Sequence, residues 1–585
     1  ATKAGTNGGF DSLGAIDLSG TGTTKSGILV AGRGTFIGDI NLESGSTLTV
    51  VGDSSAGVHI NAGSILQGDL TAGGSINVVS STKGTGSTTG VSGIRIDGTL
   101  DGDLTVLAHS SLTAMGQGAQ GIVTTGAVTG ALKNAGVIAV QGTNTPKSGT
   151  GNPEGASAII IGNNIGGGIL NDGPSDSSSS AATASLSSDG SSPTVFITTA
   201  AGSVAHDITI GTLHDKTNKG YSFVNRGSII SLPTNENDSS VAVSIQGNSN
   251  HTVTFTNGFF TSGTISASAK TNPTGSQNVA TAIAIGPNVT IPSLTNSNQS
   301  GLASITSTIS GALGGTANGI LIEAGTTSVP GGNLATIINS GTLAVQASTT
   351  DTTVSTLDVY AIRDQAGTLT KIDNSGTISA TATTLDDATA QKIVAADLSS
   401  ALHGVKFANS GTVVGAVFFG IHDETLNVTG KSSDSPASVT GDIDFASADK
   451  GGADTLTVGH FGTVTGAVNS DEVTGPVNVR VQADGTLNMM NSTAGLKAGA
   501  FNVDPGGTLG LSVAQAFNLD NKNAFVGALI DADSATLAAT SKLNIAFGSF
   551  IPETGRFLLI QTAPGQLSLP LAAIQNSFNV PFVLA

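Results

Sequence analysis

Asn339-Ser340-Gly341-Thr342-Leu343 returns as Asn374-Ser375-Gly376-Thr377-Ile378 and again as Asn409-Ser410-Gly411-Thr412-Val413. Each time a polar turn leads into alternating polar and aliphatic residues. That is the period-two pattern of a strand with one face turned inward. The unit stands earlier as Asn134-Ala135-Gly136-Val137-Ile138 and Asn225-Arg226-Gly227-Ser228-Ile229. With Thr for Asn it is Thr261-Ser262-Gly263-Thr264-Ile265. Gly227 and Gly263 stand 36 residues apart; Gly341, Gly376 and Gly411 follow at intervals of 35. Gly and Asn are expected to give these turns positive φ.

A second motif, small–aliphatic–x–aliphatic, falls between the first. It reads Gly93-Ile94-Arg95-Ile96, Ala158-Ile159-Ile160-Ile161, Ala242-Val243-Ser244-Ile245, Ala282-Ile283-Ala284-Ile285 and Gly319-Ile320-Leu321-Ile322. Ile245 lies 20 residues before Ile265, and Ile322 lies 21 before Leu343. The 35-residue unit therefore reads as two coils of roughly 18 residues each, stacked so that each strand meets its equivalent. A third motif marks both ends of the repeat region. Examples are Gly34-Thr35-Phe36-Ile37-Gly38-Asp39-Ile40 and Gly98-Thr99-Leu100-Asp101-Gly102-Asp103-Leu104, then Gly411 to Val417 and Gly462 to Val468.

Composition bounds the class. Of 585 residues, 81 are Gly, 4% are aromatic and 11% charged, against roughly 25% charged in ordinary domains. With 38% hydrophobic residues, disorder driven by charge is excluded. Gly lacks a three-residue period, which excludes collagen. No apolar run reaches the roughly 18 residues of a spanning helix. Helical period is nearly absent; the best candidate runs from Leu385 to Leu402. Lys and Arg number 22 against 40 Asp and Glu, for a net charge of −18, so a nucleic-acid footprint is missing. Zero Cys excludes disulfides and thiolate metal sites and fits a secreted bacterial protein. The start, Ala1-Thr2-Lys3-Ala4-Gly5-Thr6, lacks a basic, then apolar leader; a signal segment is expected to be absent or removed.

These patterns resemble the passenger domains of bacterial autotransporters. The Asn-Ser-Gly-Thr turns are similar to those of many passengers, as are Val439 to Phe445 and Gly452 to Gly459. Gly507 to Leu511, Leu543 to Phe547 and Gly555 to Ala563 resemble the well-packed autochaperone end of a passenger. Eight of the 20 Phe lie in the final 85 residues. The resemblance implies an all-β right-handed parallel β-helix of roughly 25–30 coils at the spacing above. It implies export through the outer membrane to the cell surface. It also implies a C-terminal β-barrel as partner before cleavage, expected to lie outside this chain. By pattern the chain divides into 1–130, N-terminal coils; 131–430, repeats with long polar loops on one side; 431–500, further coils; and 501–585, the autochaperone-like cap.

Polar excursions follow several strands: Gly142 to Gly155, Leu232 to Ser240, Ala269 to Asn278, Ala347 to Ser355, and the longer Gly173 to Pro193. In solenoids such insertions often form the binding face. Catalytic motifs are thin. Gly52-Asp53-Ser54-Ser55-Ala56-Gly57 and Phe10-Asp11-Ser12-Leu13 only graze hydrolase loops and read as turns. The eight His, at 59, 109, 206, 214, 251, 403, 422 and 460, show no zinc spacing. Gly451-Gly452-Ala453-Asp454 is one copy of a Gly/Asp calcium turn, where tandem copies are needed; it reads as an ordinary turn, leaving calcium as the only cofactor in view. No residue is assigned as catalytic, cofactor-binding or metal-binding. The expected function is a non-enzymatic surface rod for adhesion or self-association, its partner itself or a surface or glycan ligand. A self-assembling surface-layer or filament subunit is the second reading, and a polysaccharide-active β-helix enzyme the third.

Overall fold

The computed structural model describes residues 8–569. Excepted are 21, 82–89, 143–154, 174–182, 203, 215–219, 234–237, 272–276, 313, 350–355, 384–389, 447–453, 470–475, 490–494, 513–527 and 547–558. All strand pairs among the described residues are parallel, in a right-handed β-helix. The chain packs as two units. Unit one comprises Ala1–Ala335, Gly341–Tyr360 and Ala382–Lys392; unit two comprises Thr336–Ser340, Ala361–Thr381 and Ile393–Ala585.

In unit one each coil contributes a strand to each of three sheets, here the A, B and C faces. One inward column shows the principle on the B face: Leu48, Ile76, Leu112, Ile138, Leu186, Ile229, Ile265, Ile305 and Leu343 lie in register. All are at most 2% exposed. The A face stacks Ile40, Leu70, Leu104, Leu132, Ile169, Phe223, Phe259 and Leu294. The rings of Phe223 and Phe259 are parallel, 4.5 Å apart. Like residues stack because every strand meets its equivalent one coil on, so the alternation visible in sequence becomes continuous apolar columns.

Unit two repeats the scheme on its own B face with Ile378, Val413, Val439, Val464, Leu487, Leu509 and Leu543. Just past its C-face strands Ala416–Phe418 and Ile443–Asp444, Phe419 stacks on Phe445, rings 4.7 Å apart. Between the B and C faces a single residue turns the corner: Gly415, at φ +116°, where side-chain-bearing residues are strained.

Three expectations are corrected. The 35-residue unit is one coil, not two. Ile245 on the C face and Ile265 on the B face belong to different sheets, and Ile378 meets Val413 directly. The described residues hold 17 B-face strands, hence 17 coils rather than 25–30. Coils range from 22 residues (Leu487 to Leu509) to 48 (Ile138 to Leu186). Next, the helical pattern at Leu385 to Leu402 contains the strand Ala390–Asp397; a mixed apolar run follows the sheet it joins rather than its own period. Lastly, the Asn-x-Gly glycines do not have positive φ. A Cβ on Gly136 would lie 2.6 Å from the carbonyl oxygen of Ser110, and one on Gly411 would overlap the carbonyl oxygen of Gly376. Glycine is required there by the preceding coil's backbone.

Candidate functional site

The Asn of the Asn-x-Gly motif points inward and is buried. In unit one Asn134 Nδ2 donates to Asn171 Oδ1 at 2.9 Å, Asn171 to Asn225 Oδ1 at 2.8 Å, and Asn225 to Thr261 Oγ1 at 3.1 Å. Unit two holds its own ladder: Asn339 donates to Asn374 Oδ1 and Asn374 to Asn409 Oδ1, both at 2.7 Å. The side chains also hold the corner backbone, as where Gly136 N–H donates to Asn134 Oδ1 at 3.2 Å. The same register position carries aliphatic residues beyond the ladders, Val106 before Asn134 and Val428 after Asn409. The ladders are thus polar inserts in an apolar column, each amide serving donor and acceptor at once. The recurring Asn was visible in sequence; its inward direction was not.

A second polar device runs along the early coils. Asp39 Oδ1 accepts Asp69 N–H at 2.8 Å, Asp69 Oδ1 accepts Asp103 N–H at 2.7 Å, and Asp103 Oδ1 accepts Ala131 N–H at 2.8 Å. These aspartates belong to the Gly-Asp steps of the third motif and tie successive corners together.

On the outward C face of unit one, His59 and Arg95 stand in register. Both reach Asp97: Arg95 Nε donates to Oδ2 at 2.7 Å, and His59 Nε2 lies 2.9 Å from the same oxygen. The Thr125 hydroxyl donates to Oδ1 at 2.7 Å. Burial alone would raise the Asp97 pKa, but the hydrogen bonds from His59, Arg95 and Thr125 outweigh it and hold the carboxyl far below its ordinary range. The Thr125 hydroxyl is spent on Asp97, so the group works as a clamp over three coils.

The most unusual chemistry lies in unit two. Glu424 precedes the strand Thr425–Val428 and Asp454 begins the strand Asp454–Val458 one coil on. Both are fully buried. Glu424 N–H donates to Asp454 Oδ1 at 3.0 Å, and His422 N–H to Glu424 Oε1 at 3.1 Å. Burial, with Asp454 beside it, pushes the Glu424 pKa up to about 8. Burial also raises Asp454. The coil brings the rings of His403 and His422 to 6.4 Å, a proximity their 19-residue separation hides.

Of the other singled-out residues, Asp53 and Ser54 form a turn, whereas Phe10–Ser12, expected as a turn, is a strand. Ser55 Oγ accepts Lys25 N–H at 3.0 Å and donates to the Asp53 carbonyl at 3.1 Å. Asp11 Oδ1 accepts Asn41 Nδ2 at 2.9 Å. His206 Nδ1 lies 3.1 Å from the Val204 carbonyl, and His251 and His460 face Asp207 and Asp484 at 3.5 and 3.6 Å. Gly451 to Ala453 lie outside the described residues. Among the described residues no three His, Asp or Glu side chains gather to hold a metal ion. Four of the polar excursions, at 142–155, 232–240, 269–278 and 347–355, connect a B-face strand to the next C-face strand. The fifth, at 173–193, begins between the A and B faces instead. Their interiors lie outside the described residues.

One groove of about 290 Å³ opens on the outward A face of unit two, lined by Ile338, Asp373, Ser375, Ala408, Asn427 and Thr429. Lys371 and Lys406 stand in register beside it, and Lys371 Nζ pairs with Asp373 Oδ2 at 2.6 Å. No family model, no curated protein and no solved structure matches this chain.

Proposed function

We propose that this chain is a non-enzymatic, secreted cell-surface β-helix of the autotransporter-passenger kind, acting in adhesion or self-association. The observation that carries the reading is the outward B face. There, short uncharged side chains stand in rows one coil apart and bond to one another. Ser111 donates to Ser75 Oγ at 3.2 Å, Thr113 to Asn77 Oδ1 at 2.9 Å, and Ser228 to Ser185 Oγ at 3.0 Å. Such a face can meet a glycan or another surface through many weak hydrogen bonds without stripping water from charges. The groove over Asp373 and Asn427 offers a second place for contact.

A second reading is assembly of copies into a layer or filament. Phe10–Ser12, Ala15–Leu18, Ser26–Val30 and Thr35–Ile37 pair on one side only among the described residues. They surround an opening of about 550 Å³ lined by Phe10, Ile28, Val30, Phe36 and Ile40.

The deciding experiment is purified chain on glycan arrays and abiotic surfaces, with light scattering and electron microscopy with calcium or chelator. Saturable retention by monomers supports adhesion. Concentration-dependent ordered assemblies support the second reading. Monomers that bind nothing and cleave an acidic polysaccharide overturn both.

A further inference from the structure

The buried Glu424 and Asp454 carboxyls leave one oxygen each unaccounted for. Glu424 Oε1 and Asp454 Oδ1 each accept a backbone N–H. Glu424 Oε2 and Asp454 Oδ2 are buried and receive no donor. The bond from Glu424 N–H to Asp454 Oδ1, at 3.0 Å, sets the two side chains beside each other across adjacent coils, and each acts on the other's titration. The backbone locks them there: Thr455 N–H donates to the Glu424 carbonyl, and Thr425 N–H to the Val405 carbonyl, both at 2.9 Å.

The charged surroundings offer no counter-ion. Among the described residues neither carboxyl forms an ion pair with a Lys, Arg or His. Asp423, on the same turn, adds negative charge against Asp454. His422 presents its backbone N–H, with His403 beside its ring. On the preceding coil Lys406 stands opposite Thr425 and is exposed to solvent. On the following coil Val477 stands opposite Asp454.

Two orphan oxygens of like charge can be joined by a proton or by a divalent cation. Calcium takes six to eight oxygen ligands, whereas only two carboxylates converge here and no third acidic or His side chain completes a cluster among the described residues. A proton needs only the two oxygens. We propose that Glu424 and Asp454 share one proton across adjacent coils and form a pH-sensitive latch in unit two. With the proton in place, one carboxyl donates O–H to the other, and both orphan oxygens are satisfied. When the proton leaves to solvent, two carboxylates face each other in an apolar interior. Desolvation and repulsion then favour opening of the corner, so that water reaches them. The raised Glu424 pKa, about 8, places that opening in mildly alkaline solution.

The test uses the full chain, as wild type, Glu424→Gln and Asp454→Asn. Gln donates an amide N–H where the protonated acid donates O–H, so E424Q holds the latch closed at every pH. Amide exchange at residues 421–426 and 454–457, corrected for intrinsic rates, is read at pH 7 and pH 9.5. The expected result is at least a tenfold loss of protection in wild type and none in E424Q. The infrared difference between wild type and E424Q should show a protonated-carboxyl band that disappears between pH 7 and pH 9.5. Equal pH dependence in wild type and E424Q overturns the latch. So does calcium restoring protection at pH 9.5 in wild type, which assigns the pair to a cation. If E424Q does not fold, D454N takes its place. If neither folds, the wild-type infrared titration decides alone: an unchanged carboxyl band from pH 7 to 9.5 overturns the proposal.

Discussion

Asn171 Nδ2 donates to Asn225 Oδ1 at 2.8 Å, although 54 residues separate them in the chain. Asn171 Oδ1 in turn accepts from Asn134, so the middle of the ladder satisfies two neighbours and its end only one. Asn171→Val orphans a buried donor on Asn134 and a buried acceptor on Asn225, at about 1–3 kcal/mol for each group. Asn134→Val orphans one group on the ladder, next to a Val106 that already occupies this register position. Urea unfolding should therefore show N171V costing about twice as much as N134V. Equal losses would mean that the amides act singly on their own corners.

The glycines divide by what lies on the neighbouring coil. A Cβ on Gly411 overlaps the carbonyl oxygen of Gly376, which is backbone and cannot swing aside, whereas a Cβ on Gly14 meets nothing within 4 Å. Gly411→Ala should cost about 1–3 kcal/mol or more, as overpacking does. Gly14→Ala should fall within about 0.5 kcal/mol of wild type. Thermal unfolding of both variants checks this, and a neutral G411A would show that the coils can part locally.

Asp97 makes the acid limb predictable. Its pKa is depressed in the folded chain, so the folded state holds the ionised form that the unfolded chain gives up near pH 3.9. The stabilisation is present in full above that pH and is lost as pH falls through the folded value. The stability gap between wild type and Asp97→Asn should shrink as pH falls below about 4. A gap that instead widens below about pH 4 would contradict the clamp formed with His59, Arg95 and Thr125.

Glu424 acts with the opposite sign. Its folded pKa is raised, so its contribution is complete below the unfolded value near 4.3 and declines as pH rises to about 8. Over that window wild type should lose stability relative to Glu424→Gln by at most about 1.4 kcal/mol per pH unit, the linkage of one proton. Denaturant titrations at half-unit steps read the slope directly.

Phe223 is fully buried, with its ring stacked on that of Phe259. Phe223→Ala should cost about 3–5 kcal/mol, the range for an aromatic core deletion. Phe223→Leu should recover most of it, because Ile169 fills the same column one coil earlier. A small loss for F223A would indicate that the column collapses around the gap.

The sequence by itself determined the strands and their stacking. Alternation at Thr342 to Thr349 and its recurrence every 35 residues allow little besides stacked parallel strands. Those signals are local: inward and outward positions differ in polarity, and polarity is written in each residue. Only the tertiary structure decided what the recurrence counts. Ile245 and Ile265 look like successive rungs in sequence but lie in different sheets of the helix, because spacing along a chain does not say which face a strand joins. It also decided that Asn171 turns inward and that Gly411 is needed for the backbone behind it. And it decided that Glu424 meets Asp454, 30 residues away. Each depends on what the next coil places opposite, a contact set by register and therefore by the lengths of every loop between.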